Sequence, residues 1–302
     1  MSHLPKVSVF ILTYNQQDYV GQMMDSILAQ RGDFSLELVI GDDASSDGTT
    51  QLIEDFAVRY PGKIRLLKAE KNMGLSANFL RTFAHCDGDY VAICDGDDYW
   101  ITTDRLQQQI QLMQSEPGTD IVFGRKDELY SQGDIRPGKS DPLPDSDFDD
   151  LVFDNYIPSV TCVFRNKSGL GSPPVWIDGL PYGDWPLYLW LLVDGGKIRF
   201  LDKTIAVYRK TIGQSAKLRK RLSDAIRVKH KILKNCYGDD HFSSKKAVIY
   251  RSMVQTEQQL MGSFLREKQW GKAVSWLMFL VFVRWRWNAI RSFAYGIKKH
   301  LE

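Results

Sequence analysis

The first hundred residues alternate between short, continuously apolar runs and longer stretches in which apolar residues recur at helical spacing. The runs have the length of strands, and the stretches between them have the period of amphipathic helices. Strands that are apolar at every position are typical of a parallel sheet covered by helices on both faces. The predicted strands are Val7–Leu12, Leu36–Ile40, Ile64–Leu67 and Tyr90–Cys94, and the predicted helices are Asp18–Gln30, the stretch ending at Tyr60, and Ser76–His85.

The pattern between residues 101 and 215 is less regular. Asp120–Gly124 and Val160–Arg165 have the composition of strands, and Ile198–Leu201 with Thr204–Tyr208 predicts a closing hairpin. The segment Ser131–Asp150 is rich in Pro, Gly, Asp and Ser, which predicts a flexible loop over a cleft.

Charge is distributed very unevenly along the chain. From Lys203 onward there are 22 Lys and Arg against 6 Asp and Glu, whereas the residues before it include 17 Lys and Arg against 31 Asp and Glu. We therefore predict an α/β domain over residues 1–215 and a basic helical extension over residues 216–302. Acidic residues in a cleft can hold a divalent metal, and a basic tail can meet anionic lipid or nucleic acid.

Two acidic clusters follow predicted strands directly. Asp42-Asp43 comes after the second strand, and Asp95-Gly96-Asp97-Asp98 comes after the fourth. The carboxyl ends of parallel strands meet at one edge of the sheet, where ligands of such folds bind. We therefore expect both clusters at the same edge.

Asp95-Gly96-Asp97 has the chemistry of a site for Mg²⁺ or Mn²⁺. Both cations prefer oxygen ligands, and a cation held there could stabilise a diphosphate as it leaves. Gly96 would allow a tight turn and a close backbone approach. The alternative is a turn with solvated aspartates.

Asp42-Asp43 could accept a hydrogen bond from the imide N–H of uracil or thymine, or from a ribose hydroxyl. The alternative for this segment is helix capping, because Ser46 or Asp47 precedes the next helix and suits an N-cap. Both interpretations can hold together, with Asp47 capping the helix and Asp42 or Asp43 binding a ligand.

Four motifs occur in the order and spacing of the family 2 glycosyltransferases with the GT-A fold, which the chain resembles. They are Thr13-Tyr14-Asn15, the segment from Asp42 to Thr49, Asn72-Met73-Gly74, and Asp95-Gly96-Asp97-Asp98. The resemblance implies a mainly parallel α/β sheet flanked by helices, a nucleoside-diphosphate-sugar donor, a divalent metal and inversion at the anomeric carbon. Residues 1–100 would form the nucleotide-binding half of the domain and residues 101–215 the acceptor half.

The resemblance also implies roles for individual residues. The metal would be held by Asp95 and Asp97, with Asp97 as the more direct ligand, and Asp95 and Gly96 would lie against the donor. A uridine or thymidine diphosphate sugar is the expected donor type. The nucleoside and donor pockets would be bounded by Thr13, Asn15, Asp42, Asp43, Asn72 and Asn78.

An inverting transfer needs a general base for the acceptor hydroxyl. Asp184 is our candidate, because Leu180–Leu187 resembles the acidic motif in the second half of the family, although many members carry Glu-Asp where this chain has Gly183-Asp184. The alternative is that Asp184 is the N-cap of a helix at Trp185–Val193. Asp178 is the second candidate. Trp100, Trp176, Tyr182 and Trp185 could stack on sugars or lie in the core.

The C-terminal region has an apolar run from Ala273 to Val283, which is too short to span a bilayer. Arg284-Trp285-Arg286-Trp287 follows, a combination that suits a helix in the membrane interface. Peripheral membrane contact through residues 270–302 is one interpretation, and packing as a helical bundle or a homo-oligomer contact is the other. Membrane contact would fit a lipid-linked glycan acceptor.

Several function classes compete with glycosyl transfer. A sugar nucleotidyltransferase would show an early Gly-rich phosphate loop, and a nucleic-acid-binding protein would show a recognised motif; we find neither. The N-terminal residues do not resemble a secretion signal, and the dispersed cysteines, with Cys86 and Cys94 expected as buried thiols, suit a reducing compartment. We therefore expect a cytoplasmic enzyme of bacterial surface polysaccharide synthesis, with a glycan or lipid-linked glycan as acceptor and no nucleic-acid partner.

Overall fold

The computed structural model describes residues 4–139, 142–167, 171–210 and 221–283, together with residues 289, 293 and 297. The chain divides into two compact units, residues 1–213 and residues 214–302. The first unit has helices on a sheet, and the second is helical.

Ten strands form one sheet in the described part of the first unit. In chain order they are β1 Lys6–Thr13, β2 Ser35–Asp42, β3 Ile64–Lys68, β4 Tyr90–Ile93, β5 Tyr99–Trp100, β6 Thr119–Leu129, β7 Ile135–Pro137, β8 Asp145–Ser146, β9 Val163–Arg165 and β10 Lys197–Arg209. The order across the sheet is β3-β2-β1-β4-β9-β6-β10-β5, with β7 beside β6 and β8 beside β10. The helices are α1 Gln17–Leu28, α2 Thr49–Arg59, α3 Leu75–Phe83, α4 Arg105–Ser115, α5 Phe148–Leu151 and α6 Asp184–Leu192.

The half formed by β3, β2, β1 and β4 is wholly parallel, as the apolar runs predict. The central strand β1 is buried on both faces. Val7, Val9 and Ile11 belong to the core that α1 also covers, while Phe10 meets Phe79 of α3 edge-to-face, with ring centroids 4.8 Å apart. The predicted α/β fold with a sheet between helices is confirmed.

The other half of the sheet is mixed. β9 lies antiparallel between β4 and β6. The predicted hairpin is wrong, because β10 is one strand that runs parallel to β6 with register shifts between Leu201 and Ala206. Two features accommodate this irregularity. Asp202 forms an ion pair with Arg125 of β6, and Gly124 leaves room for Ile205, whose Cδ1 would lie 2.7 Å from an added Cβ.

The segment Ser131–Asp150 is not a simple loop in its described residues, which corrects the prediction. It contributes β7, which pairs with the end of β6, and β8, which pairs with the start of β10. Asp147 then begins α5, with its side chain accepting a hydrogen bond from the backbone N–H of Asp149 at 2.7 Å.

The second unit contains α7 Leu222–Gly238, α8 Lys246–Arg266 and α9 Trp270–Met278, and a π-helical turn at Phe279–Val283 continues α9. Its core joins Ile226 of α7, Leu260 and Phe264 of α8 and Ala273 of α9. Among the described helices of the chain, none is long and apolar enough for a membrane crossing. The four cysteines of the chain are buried free thiols.

Candidate active site

Three parallel strands, β1, β2 and β4, end at the same edge of the sheet, and their connecting segments form the candidate site. Thr13 at the end of β1 is in register with Asp42 at the end of β2. The turn after β4 reaches the same place, because the backbone N–H of Gly96 donates to the carbonyl of Leu12 at 3.1 Å. The fold therefore brings the two acidic clusters to one edge.

Gly96 allows the turn after β4 to lie against the end of β1. A Cβ built on Gly96 would stand 2.3 Å from Oε1 of Gln16 and 2.7 Å from Cγ2 of Thr13. Real Cβ atoms do not tolerate such distances, so the close approach requires glycine at this position.

Asp42 is buried, and its carboxylate holds together three segments of the edge. Oδ1 accepts hydrogen bonds from the hydroxyls of Thr13 at 2.9 Å and Ser45 at 2.6 Å. Oδ2 accepts from the hydroxyl of Thr50 at 2.9 Å and from the backbone N–H of Ser45 at 3.1 Å. The buried Asp42 carboxylate therefore fixes the ends of β1 and β2 relative to each other through hydrogen bonds.

Asp43 holds the segment before α3 in place in a similar way, through hydrogen bonds to its carboxylate. Its carboxylate accepts the backbone N–H groups of Met73 at 2.8 Å and Gly74 at 3.0 Å. The Asn72 side chain donates to the Asp43 carbonyl at 3.3 Å and is otherwise exposed. The Asn-x-Gly turn is thus fastened to the strand end that carries Asp43.

Asn15 adopts a left-handed backbone conformation with a φ of 52°, which Asn tolerates better than most residues. Its Oδ1 accepts the backbone N–H of Ser46 at 2.8 Å. Asp47 accepts the backbone N–H groups of Gln17 at 3.1 Å and Thr49 at 2.9 Å. The N-cap of α2 is Gly48, so the prediction of Ser46 or Asp47 at that position is wrong. Asp47 lies one residue before the N-cap, bonds the first N–H of α2 and joins the loops after β1 and β2.

Asn78 lies on the buried side of α3 and supports the site from behind. Its amide donates to the carbonyl of Gly41 at 2.8 Å, and its Oδ1 accepts from Arg81 at 2.8 Å. The same Arg81 guanidinium donates to the carbonyls of Leu67 at 2.9 Å and Asp42 at 3.2 Å. Sequence reasoning missed Arg81, although a basic residue one helical turn after Asn78 shares its face of α3.

The turn after β4 concentrates negative charge in a confined place. Burial, together with the charges of Asp97 and Asp184, raises the pKa of Asp95 to about 7. Burial also raises the pKa of Asp97, against the opposing effect of Arg209. The pKa of Asp98, which is 1% exposed, is raised well above its ordinary value by burial and by the two neighbouring carboxylates.

Arg209, at the end of β10, holds this turn in place. Its guanidinium donates to the carbonyl of Asp97 and to Oε1 of Gln22, and its backbone N–H donates to Oδ1 of Asp98 at 2.8 Å. The guanidinium also lies over the rings of Tyr19 and Tyr99, at 4.8 and 5.1 Å from their centroids. Arg209 thus contacts the acidic turn through both its backbone N–H and its guanidinium.

Asp184 is the first residue of α6, and Gly183 occupies the N-cap position, so the sequence-based N-cap interpretation is displaced by one residue. A Cβ on Gly183 would lie 2.9 Å from the Phe79 ring, which explains glycine there. Asn155 donates to Oδ2 of Asp184 at 3.1 Å. Burial raises the pKa of Asp184, while the Trp185 N–H and Asn155 lower it. Sequence reasoning missed Asn155.

The second candidate base, Asp178, is engaged elsewhere. It is exposed, and its Oδ1 accepts from the hydroxyl of Ser76 at 2.9 Å and from the backbone N–H of Gly179 at 2.8 Å. Two candidate sugar-stacking residues belong to the core instead. The indole N–H groups of Trp100 and Trp185 donate to the carbonyls of Val160 and Leu151, and both side chains are buried.

The donor set of the acidic turn fits a divalent cation in its chemistry. Oδ2 of Asp98 is buried without a hydrogen-bond partner, and the pKa of Asp95 is raised partly because negative charge there is not balanced. Within the described ranges, no three or more His, Cys, Asp or Glu are arranged to hold a metal by themselves. A cation at this turn would therefore need oxygen ligands from a bound molecule as well.

Comparison with known proteins agrees with this geometry. The model of the family described as glycosyl transferase family 2 matches residues 8–167, more than half of the chain. The chain belongs to glycosyl transferase family 2. The matched region contains both acidic clusters and the Asn-x-Gly turn, and it ends before Asp184.

Curated relatives of this family 2 chain match it only in part. Rv1520 of Mycobacterium tuberculosis is 33% identical over 207 residues, covering 68% of this chain and 58% of its own length. The teichuronic acid biosynthesis glycosyltransferase TuaG of Bacillus subtilis, a putative assignment in its own name, is 32% identical over 109 residues, covering 36% of this chain and 42% of its own length. The chain thus spans little more than half of its mycobacterial relative.

Solved structures share the fold. The S. aureus TarS fragment 1–349 has a TM-score of 0.64 at 18% identity, covering 96% of this chain and 88% of that fragment. The same fragment is known in complex with UDP-GlcNAc. At this level of identity the likeness establishes the GT-A architecture.

Proposed function

We propose that this family 2 chain is an inverting glycosyltransferase that moves a sugar from a nucleoside diphosphate to an acceptor hydroxyl. The observation that carries the proposal is the electrostatic proximity of Asp184 to Asp95. These residues come from distant parts of the sequence, yet the charge of Asp184 raises the pKa of Asp95. A base and a diphosphate-binding turn at one site are what a displacement at the anomeric carbon requires.

In this proposal Asp95 and Asp97 hold Mn²⁺ or Mg²⁺, with Asp97 as the more direct ligand. When bound, the cation would neutralise charge on the leaving diphosphate. Arg209 fixes the backbone of the turn through the Asp97 carbonyl, so both carboxylates keep their positions before any ligand arrives. The burial that raises their pKa values also limits the water that can compete for them.

Asp184 is the proposed general base. Its position in the first turn of α6 favours the ionised form that a base needs, because helix N-termini stabilise negative charge. The Asn155 amide orients the carboxylate by donating to Oδ2, and we assign to Oδ1 the proton of the acceptor hydroxyl. Asp178 is bonded to Ser76 and Gly179, so we keep Asp184 as the first candidate.

The proposed donor is a UDP- or dTDP-sugar, which is supported by the UDP-GlcNAc complex of TarS. The nucleoside pocket would lie between the loops that carry Thr13, Asn15, Asp42 and Asp43, with Asn72 and Asn78 at its border. Asp42 and Asp43 already accept protein hydrogen bonds, so we assign them mainly the task of fixing the loops. Each Asp43 oxygen accepts one protein hydrogen bond and retains lone-pair capacity for a ligand, whereas each Asp42 oxygen already accepts two.

The proposed acceptor is a glycan or lipid-linked glycan, handled on the cytoplasmic side during synthesis of a bacterial surface polysaccharide. The teichuronic acid assignment in the name of TuaG supports this class of pathway. Single additions are proposed, because the sequence lacks the Gln-x-x-Arg-Trp motif of processive synthases.

The test combines a panel of nucleotide-sugars with Mn²⁺ or Mg²⁺, read out by thermal shift and by donor hydrolysis. Asp97→Ala should abolish metal-dependent donor binding, whereas Asp184→Ala should keep donor binding and lose transfer. Asp178→Ala is the matched control and should retain both. If Asp184→Ala transfers sugar at nearly the wild-type rate while Asp178→Ala does not, the base is misassigned.

A further inference from the structure

The helix α9 has large apolar side chains on two sides. One side is buried, since Ala273 packs with Leu260 and Phe264 of α8 and Leu280 packs with Met261. A helix at the surface of a bundle ordinarily presents polar residues on its outer side. Here Trp270, Val274 and Met278 recur every fourth residue and are 45%, 45% and 53% exposed. We call these three residues the apolar stripe.

The sequence segment that contains the apolar stripe carries charge of one sign. From Lys268 to Leu301 the sequence has seven Lys and Arg and no Asp or Glu. Lys268 and Lys272, at the start of α9, are exposed. The nearest preceding acid, Glu267, is held by the backbone N–H and the hydroxyl of Ser223. No carboxylate of this segment therefore competes with an anionic surface for the cations.

We propose that the apolar stripe docks the second unit on a bilayer surface that contains anionic lipid. The combination of Trp, aliphatic and Met side chains with Lys and Arg suits the boundary between acyl chains and headgroups. Nucleic acid would also attract the cations, but Val274 and Met278 offer no ring on which a base could stack. This inference is independent of the proposed catalytic chemistry in the first unit.

The experiment measures binding of the full chain to vesicles of phosphatidylcholine with phosphatidylglycerol, and to vesicles of phosphatidylcholine alone. Wild-type protein should sediment with the anionic vesicles and much less with the neutral ones, and added salt should release it. The variant Val274→Ser/Met278→Ser should bind anionic vesicles about tenfold more weakly, because it removes apolar contact. Both side chains are exposed, so the fold should survive, which circular dichroism checks.

Control variants test whether the loss of vesicle binding is specific to the apolar stripe and its lysines, rather than a result of removing any exposed valine or lysine. Val58→Ser/Val175→Ser changes two valines of the first unit that are 82% and 83% exposed, and it should bind vesicles like wild type. Lys268→Gln/Lys272→Gln should weaken anionic binding about fivefold for each lysine, whereas Lys63→Gln/Lys71→Gln should not. Equal binding of wild type to both vesicle types, or no binding, overturns the proposal. A wild-type dimer that Val274→Ser/Met278→Ser converts to monomer would assign the stripe to a second copy instead.

Discussion

The carboxyl of Asp95 should destabilise the metal-free protein at neutral pH. Its pKa is about 7 in the folded chain and about 3.9 in an unfolded one. A group with a raised folded-state pKa favours folding below the unfolded value, and this contribution is lost as the pH rises through the folded value. At pH 7.5 the full difference corresponds to roughly 4 kcal/mol. Partial solvent access of the side chain reduces this to about 2 kcal/mol.

Replacement of Asp95 by Asn removes the charge at nearly constant volume. In buffer with a chelator at pH 7.5, we expect Asp95→Asn to unfold roughly 4 to 8 °C above wild type. The gap should shrink as the pH is lowered to 5.5, because wild type then takes up the proton that relieves the repulsion. Asp25→Asn, an exposed position on α1, is the control and should leave the unfolding temperature unchanged. A variant that unfolds at or below the wild-type temperature at pH 7.5 would refute the reasoning.

Three further predictions concern the same site. Asp184→Asn should lower the turnover number by roughly 10² to 10⁴ with unchanged donor affinity. The wild-type rate should begin to fall on acidification at a pH above the ordinary Asp range, because the pKa of Asp184 is raised and Asp184 acts as a base only when ionised. Equal turnover in variant and wild type would contradict this. Arg209→Lys should weaken Mn²⁺ binding about tenfold, as measured by calorimetric titration. A single ammonium cannot keep the guanidinium contacts to the Asp97 carbonyl and to Gln22 at the same time. An unchanged affinity would show that these contacts do not support metal binding. Gly96→Ala should lower the free energy of unfolding, measured in urea, by about 2 kcal/mol and impair donor binding, because its Cβ would collide with Thr13. The control Gly118→Ala has open space around its Cβ and should change neither quantity.

The parallel half of the fold could be predicted because its strands are apolar at most positions, with Ser8, Glu37 and Arg65 as exceptions. A short apolar run such as Val7–Leu12 is readily assigned as a buried strand when the residues that follow it have helical spacing. In the other half, β6 and β9 overlap predicted strands, but the course of β10 could not be predicted, because a polar pair within an apolar strand has two explanations. Asp202-Lys203 interrupts β10 in the way a turn would, but the pairing of Arg125 with Asp202 makes it an irregularity within one strand. Only the neighbouring strand β6 decides between these outcomes.

The acidic residues of the site could be predicted to share one edge, because topology alone brings strand ends together. Their individual roles could not, since hydrogen-bond partners come from other segments. Asp42 looks free in sequence, yet its oxygens receive hydroxyls from Thr13, Ser45 and Thr50. Asn155 and Arg209 lie far from the motifs in sequence and have no spacing that signals their contacts, whereas the i+3 spacing of Arg81 from Asn78 could have revealed its contact.

The carboxylates of the site fall into two groups: some accept hydrogen bonds from the protein, and others carry negative charge that the protein does not balance. This difference determines where ligand binding would gain the most free energy. At the proposed nucleoside end, Asp42 and Asp43 are matched by protein donors, so the loops are ordered before a ligand arrives. At the proposed diphosphate end, burial raises the pKa values of Asp95, Asp97 and Asp98, and neighbouring carboxylates add to this for Asp95 and Asp98. A cation bound there relieves a strain that the folded protein already carries, so binding should gain free energy from relief of repulsion as well as from new contacts. The metal end should therefore show the stronger coupling between ligand binding and the stability of the first unit.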